Sequence, residues 1–128
     1  MTCRVLLVDD FAPWRRAVRS MLGAHEQLQI VGEAADGSEA VQKARASNPD
    51  LVLLDLSLPT LNGMDAAEQI GKATPSAKIL FLTQNSDADV KSAALSNGAR
   101  GYVFKQRAGK DLVPAVEEVL RGGRFVSG

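Results

Sequence analysis

Five short apolar runs alternate with segments of helical periodicity, and this alternation constrains the fold more than any other feature of the sequence. The runs are CRVLLV, LQIVGEA, LVLLD, AKILFLT and GYVFK. Four of them are rich in Val, Ile and Leu without clean alternation, which is typical of strands buried on both faces. The second run alternates more clearly and predicts an edge strand. A βα unit repeated five times predicts an α/β fold in which right-handed crossovers place helices on both faces of a parallel sheet.

Between the runs, apolar residues recur at spacings of three and four, which predicts five helices. The second helix should cover residues 38–46, with Asp36 as its N-terminal cap. The fifth contains Pro114 in its first turn or two. A proline is tolerated there only if the helix begins near Asp111, because a proline lacks the N–H that an interior position must donate.

Length and charge exclude several classes of protein. The chain has 128 residues and 45% of them are hydrophobic, so it is long enough for one domain with one core. Its formal net charge is zero, which argues against a chain that itself wraps a nucleic-acid backbone. The single cysteine, Cys3, excludes a disulfide framework and indicates a reducing compartment. The sequence has no signal peptide and no apolar stretch of roughly 18 residues, so we expect a cytoplasmic protein without a membrane segment.

Polar side chains stand at the carboxyl ends of four predicted strands. Asp9 and Asp10 follow the first strand and Asp55 ends the third. Thr83 ends the fourth strand and Lys105 ends the fifth. Ligands of open α/β sheets bind at this edge, where the strand order reverses. We therefore expect these five side chains to converge there.

Three carboxylates that lie close together repel one another and need a counter-charge. A divalent cation would supply it, and carboxylate, carbonyl and water oxygens suit Mg²⁺. The lysine adds a point charge that suits a phosphoryl oxygen. A carboxylate in this setting can attack phosphorus, so the group of residues predicts an aspartate that accepts a phosphoryl group.

At these residues the sequence resembles the receiver domain of two-component response regulators. The resemblance is carried by the acidic pair in VLLVDD, the aspartate in LVLLDLSLPTLNG, the hydroxyl residue in ILFLT, and the aromatic and lysine in GYVFK. Each motif alone is weak, but all of them in order at predicted strand ends are specific, and the match covers essentially the whole chain. The resemblance implies a flavodoxin-like, doubly wound (βα)5 fold whose five-stranded parallel sheet has the order 2-1-3-4-5.

The resemblance also implies a phosphoacceptor and a metal site. Asp55 would be the phosphoacceptor and one of the Mg²⁺ ligands. Asp10 would bind Mg²⁺ directly and Asp9 mainly through water. The backbone carbonyl of Ser57 would complete the protein ligands.

The remaining implied roles concern the phosphoryl group and the switch. Thr83 would donate a hydrogen bond to the phosphoryl group and Lys105 would pair with it. Tyr102 would be the switch aromatic, which swings inward when Thr83 is drawn to the phosphoryl group. Pro59 and Gly63 would shape the loop after the acceptor strand.

Simpler interpretations stay open for several of these residues. Asp9 and Asp10 could merely cap the first helix, where a negative charge is favourable. Tyr102 could be an ordinary core aromatic. Trp14, close after the acidic pair, could cover part of the site or pack on the sheet, and packing is the interpretation we favour.

One position departs from the family pattern. Many receivers carry proline after the lysine, often with a cis peptide bond, whereas Gln106 follows Lys105 here. A cis bond before a non-proline residue costs about 2.5–4 kcal/mol, so we expect this loop to differ. The departure leaves open a degenerate receiver that only binds other proteins. A phosphatase with an aspartyl nucleophile is disfavoured, because those enzymes usually carry a second acid where this chain has Ser57.

The end of the chain, LRGGRFVSG, is similar to the junction in response regulators whose receiver precedes a helix-turn-helix (LuxR-type) DNA-binding domain. We expect residues 1–122 to form the receiver and residues 123–128 to begin a linker to an effector domain outside this sequence; a stand-alone receiver is the competing interpretation. The resemblance implies a sensor histidine kinase as phosphoryl donor, a homodimer on phosphorylation, and DNA binding only through the effector domain. It implies a signalling domain that catalyses its own phosphorylation, and not an enzyme that turns over external substrates.

Overall fold

Residues 2–127, which the computed structural model describes, form six strands and five α-helices in alternation. The strands are β1 Cys3–Val8, β2 Leu28–Ala34, β3 Leu51–Leu54, β4 Lys78–Thr83, β5 Gly101–Phe104 and β6 Phe125–Val126. The helices are α1 Ala12–Leu22, α2 Gly37–Ser47, α3 Gly63–Ala73, α4 Ala88–Ser96 and α5 Ala108–Leu120, with a 3₁₀ helix at Lys105–Arg107 before α5. In this part of the chain, no helix is both long enough and apolar enough to span a membrane.

All strand pairs are parallel, and the sheet order is β2-β1-β3-β4-β5-β6. The predicted α/β class, the parallel doubly wound sheet and the edge position of β2 are confirmed. The predicted count of five strands is wrong, because Phe125 and Val126 pair with Gly101 and Tyr102 and add a sixth strand beyond β5. Two residues are too short for a periodicity pattern to reveal, and they lie in the stretch predicted to begin a linker. The boundary between receiver and linker stays a prediction.

The core has two layers, one on each face of the sheet. Along β1, Leu6 and Val8 pack with α2, α3 and α4, whereas Val5 and Leu7 pack with α1 and α5. All four side chains are at most 3% exposed. Burial on both faces explains why the central strands carry apolar residues without alternation. Each fully buried side chain of this kind stabilises the fold by about 1.5–3 kcal/mol.

The starts of α2 and α5 differ in how far local chemistry predicts them. The carboxylate of Asp36 accepts a hydrogen bond from the backbone N–H of Glu39, as the capping prediction requires. The predicted start of α5 near Asp111 is wrong, because the 3₁₀ helix leads directly into α5 at Ala108 and Pro114 lies inside the helix. Because proline has no N–H, the carbonyl of Lys110 lacks its usual partner at position 114. Lys110 is exposed, so water can bond that carbonyl instead.

Candidate functional site

The sheet topology brings the ends of four neighbouring strands together. The chain continues from β1 into Asp9 and from β3 into Asp55, and the backbone N–H of Asp55 donates to the carbonyl of Val8 at 3.1 Å. Thr83 ends β4, next in the sheet, and Lys105 follows β5. The strand order reverses between β1 and β3, so the site lies where open α/β sheets bind ligands.

Lys105 lies between two buried carboxylates at this edge. Its Nζ is 2.6 Å from Oδ2 of Asp9 and 3.1 Å from Oδ2 of Asp55. Asp9 is 3% exposed and Asp55 is 6% exposed. Burial raises the pKa of Asp9, although its hydrogen bond to Lys105 opposes the rise. Burial alone would lower the pKa of Lys105, but the hydrogen bond to Asp9 and the charge of Asp55 outweigh it, so this pKa is raised and the ammonium form is favoured.

The third carboxylate of the site belongs to Asp10, which is exposed. Asp9, Asp10 and Asp55 each offer a carboxylate oxygen, and these oxygens lie within 4.8 Å of one another. Three carboxylates and one ammonium leave the cluster negatively charged. Its donors are all oxygens and its outer side is open to water, which is the chemistry that Mg²⁺ requires. The residues therefore fit the predicted cation.

Hydrogen bonds and a close backbone contact in the loop after β3 hold Asp55 in place. The backbone N–H of Ser57 donates to Oδ1 of Asp55 at 3.4 Å, which puts Ser57 beside the cluster. The N–H of Gly63 donates to the carbonyl of Leu56 at 2.8 Å. A Cβ on Gly63 would lie 2.2 Å from the carbonyl oxygen of Asp55, so only glycine fits at this close approach. The carbonyl of Pro59 accepts hydrogen bonds from the N–H of Leu61 in the same loop and from the N–H of Gly37 at the start of α2.

Thr83 and Tyr102 are joined through the backbone of Asn85. Thr83 is 1% exposed, and its Oγ1 accepts a hydrogen bond from the N–H of Asn85 at 3.2 Å. The Tyr102 hydroxyl donates to the carbonyl of Asn85 at 2.7 Å. The Tyr102 ring is fully buried in this structure, and burial, together with the charges of Asp55 and Asp87, raises its pKa to about 12. A movement at Thr83 can thus reach Tyr102 through one residue, which the sequence did not reveal.

The first turn of α1 contributes two further side chains. The Nζ of Lys105 lies 5.4 Å from the ring centroid of Trp14, which also packs against the core layer of α1 and α5. Trp14 therefore both packs on the sheet and borders the site. Arg15 donates from its guanidinium to the carbonyl of Asp9 at 2.6 Å. In the sequence, only the position of Trp14 and Arg15 close after the acidic pair indicates that they lie near the site.

Two further expectations, the capping of α1 and the geometry of the Lys105–Gln106 peptide, can be compared with the structure. The residue that caps α1 is Phe11, and its side chain makes no capping hydrogen bond; Asp9 instead accepts from the backbone N–H of Phe11 at 2.9 Å. Capping of α1 is therefore not the main contact of Asp9. No peptide bond among residues 2–127 is cis, so the Lys105–Gln106 bond is trans and the loop opens as a 3₁₀ helix.

The fold and the site together define a class. The family model described as the response regulator receiver domain matches residues 5–117. The chain belongs to this family.

Its relatives include LuxR-type regulators. The response regulator protein VraR of Staphylococcus aureus is 38% identical over 122 residues, which cover 95% of this chain and 58% of VraR. A LuxR-family two-component response regulator from Aurantimonas sp. SI85-9A1 is 35% identical, with a TM-score of 0.92 over 98% of this chain and 89% of that one. The isolated receiver domain of RcsB from Salmonella enterica serovar Typhimurium, solved in the presence of the phosphomimetic BeF3-, is 27% identical with a TM-score of 0.93 over 99% and 94% of the two chains. The chain thus spans 58% of the length of the curated relatives it matches first.

Proposed function

We propose that this domain accepts a phosphoryl group on Asp55 from the phosphohistidine of a sensor histidine kinase and thereby controls a transcriptional output. The observation that supports the proposal most directly is the position of Lys105 between two buried carboxylates, with a third carboxylate at the open side. This arrangement offers a nucleophile, a fixed positive charge and an oxygen-lined cation site within a few ångströms.

In the transfer step, a carboxylate oxygen of Asp55 forms a bond to phosphorus while the bond between phosphorus and the histidine nitrogen breaks. The ammonium of Lys105, 3.1 Å from Asp55, offsets the negative charge that gathers on the phosphoryl oxygens. Mg²⁺ held by Asp9, Asp10, Asp55 and the carbonyl of Ser57 would supply further charge neutralisation. Water later hydrolyses the aspartyl phosphate, so the domain modifies itself and turns over no external substrate.

The signal then passes through Thr83. Its hydroxyl, which now accepts from the N–H of Asn85, would donate to a phosphoryl oxygen on Asp55. Movement of Asn85 would disturb its bond with the Tyr102 hydroxyl and shift the population of conformations of α4 and β5. The resulting surface would promote a homodimer or release an effector domain.

The relatives support a transcriptional output. A solved structure of RcsB contains two dimers bound to two parallel DNAs. Because the net charge of the present chain is zero, we assign DNA binding to a C-terminal effector domain outside this sequence. A cytoplasmic location fits this role.

The test is an intact-mass spectrum after incubation with acetyl phosphate, with and without Mg²⁺. The wild type should gain one phosphoryl group only when Mg²⁺ is present. Asp55→Asn should gain none, whereas Asp89→Asn, an exposed aspartate of α4, should behave as the wild type. A folded wild-type protein that gains no phosphoryl group would contradict the proposal and favour a phosphorylation-independent binding module.

A further inference from the structure

We propose that Arg15 is a positioning residue that fixes the peptide between Asp9 and Asp10, so that both carboxylates can hold a divalent cation. This inference rests on the proposed function, because it concerns the same site. It adds a residue that touches neither the phosphoacceptor nor the cation and acts through the backbone of the acidic pair.

The guanidinium of Arg15 has partners on two different elements. It donates to the carbonyl of Asp9 at 2.6 Å, and its Nε donates to Oε1 of Glu33 on β2 at 2.7 Å. The Arg15 side chain is 17% exposed. A planar guanidinium held at two points has little freedom, which is why arginine and not lysine suits such a position. Glu33 therefore aims Arg15 at the end of β1.

Arg15 completes the set of contacts that hold Asp9. The N–H of Asp9 donates to the carbonyl of Ala34 at 3.0 Å. Its Oδ1 accepts from the N–H of Phe11 at 2.9 Å, and its Oδ2 contacts Lys105 at 2.6 Å. With Arg15 on its carbonyl, each polar atom of Asp9 has a partner.

The carbonyl of Asp9 and the N–H of Asp10 belong to the same planar peptide unit. A bond that fixes this carbonyl therefore fixes the direction in which the Asp10 side chain leaves the backbone. Asp10 is exposed, so packing contributes little to its orientation. Loss of the Arg15 bond should leave the Asp10 carboxylate free to turn away from Asp9 and Asp55.

Charge alone predicts the opposite result. Removal of a positive charge near an acidic cluster should strengthen the binding of a cation. Removal of a positioning bond should weaken it, because the ligands are no longer held for the cation. The sign of the change thus separates the two roles.

Arg19 provides a matched control. It pairs with the other carboxylate oxygen of Glu33 from the next turn of α1, and its side chain is 46% exposed. Arg19→Gln removes the same charge and one ion pair to the same glutamate, but leaves the bond between Arg15 and the Asp9 carbonyl.

The experiment titrates Mg²⁺ into the wild type, Arg15→Gln, Arg15→Lys and Arg19→Gln, with the fluorescence of Trp14, the only tryptophan, as the binding signal. Arg15→Gln should weaken Mg²⁺ binding by roughly ten-fold or more, as loss of a group that orients metal ligands usually does. Arg15→Lys should not restore it, because an ammonium cannot bond both partners in the same geometry. Arg19→Gln should stay within about two-fold of the wild type. Equal or tighter binding by Arg15→Gln would overturn the inference.

A second measurement needs no cation. The amide signal of Asp10 in ¹H–¹⁵N spectra of the metal-free protein should shift and broaden in Arg15→Gln but not in Arg19→Gln. An unchanged signal would overturn the inference by itself. If the wild type binds no Mg²⁺, the metal part of the proposed function fails, and the amide signal still decides the role of Arg15.

Discussion

The position of Asp55 depends on a glycine eight residues further along the chain. Gly63 begins α3 against the backbone of the loop after β3, and an added Cβ would lie 2.2 Å from the carbonyl oxygen of Asp55 and 2.6 Å from Cα of Leu56. Both are backbone atoms, so a clash with them cannot be relieved by turning a side chain. The loop after β3 must move for any larger residue to fit.

Gly63→Ala should therefore both destabilise the fold and slow phosphorylation. Overpacking of this kind costs about 1–3 kcal/mol. Gly71→Ala is the control, because no atom lies within 4 Å of its added Cβ, and alanine in a helix should stabilise by about 0.5–1 kcal/mol. Urea denaturation measures the free energy of unfolding, and mass spectrometry at successive times after addition of acetyl phosphate measures the rate of phosphorylation. Equal stability of the two variants would refute the close-approach argument.

How far a residue of the site can be predicted depends on how its position is encoded. Asp9, Asp55 and Lys105 each end an apolar run, so the sequence alone places them at one edge of the sheet, and the structure brings them together. The contacts of Arg15 and Asn85 leave no such mark, because they depend on side-chain reach and on the path of a loop. The roles of Thr83 and Tyr102 as a switch stay predictions.

At the level of elements, residues 125–127 are bound to the sheet by the strand pairing of β6 and by the hydrogen bonds of Ser127. The N–H of Ser127 donates to the carbonyl of Tyr102 at 2.8 Å. Its buried hydroxyl donates to Oδ2 of Asp111 in α5 at 2.7 Å and accepts from the N–H of Phe104 at 3.3 Å. The segment is thus attached to the strand that carries Tyr102 and leads to Lys105. We therefore expect a change in the position of β5 to move this segment too.

Ser127→Ala should destabilise the native state by about 1–3 kcal/mol at neutral pH, because it removes a hydrogen bond to a buried carboxylate. The Ser127 hydroxyl, with help from Arg107, holds the pKa of Asp111 below its ordinary value of 3.8. A lowered folded-state pKa stabilises the native state above pH 3.8, and this contribution is lost as the pH falls through the folded-state value. The difference between wild type and variant should therefore be largest near neutral pH and shrink below about pH 4.

The measurement is urea denaturation at neutral and acidic pH. Ser92→Ala, an exposed serine of α4, is the control and should change stability by less than about 0.5 kcal/mol. A difference for Ser127→Ala that does not depend on pH would show that the bond to Asp111 is not its source.

The sequence fails to predict β6 and the start of α5 for the same reason, which is that contacts distant in the sequence decide both. A strand of two residues such as β6 has no measurable period, and its pairing with β5 is set by the preceding turn and by buried hydrogen bonds. The sequence predicts a later start for α5 than the structure has, because a proline usually marks the first turn of a helix. Pro114 instead occupies an exposed position inside α5, where the preceding turn can be solvated. Tertiary context overrode the local rule in both cases.

For the molecule as a whole, repulsion within the acidic cluster lowers the free energy of unfolding, and the packing of the core must offset this loss. Asp9 and Asp55 are buried beside one ammonium, and Asp10 adds a third carboxylate within 4.8 Å. Groups arranged for a reaction commonly reduce the stability of the free protein. A cation that binds only the folded state then restores stability, and the gain rises with the logarithm of its concentration above Kd.

Asp10→Asn should change thermal stability in opposite directions in the absence and in the presence of Mg²⁺. In the metal-free protein it relieves repulsion with Asp9 and Asp55 and should raise the melting temperature. At Mg²⁺ concentrations about 100 times Kd the wild type should gain about 2.7 kcal/mol, and the variant should lose most of this gain. Thermal unfolding with and without Mg²⁺ measures both effects. The control is Glu26→Gln, which removes an exposed carboxylate that does not belong to the cluster of Asp9, Asp10 and Asp55. If Asp10 instead serves mainly to stabilise the N-terminus of α1, the metal-free variant will melt below the wild type, because its helix loses a favourable charge.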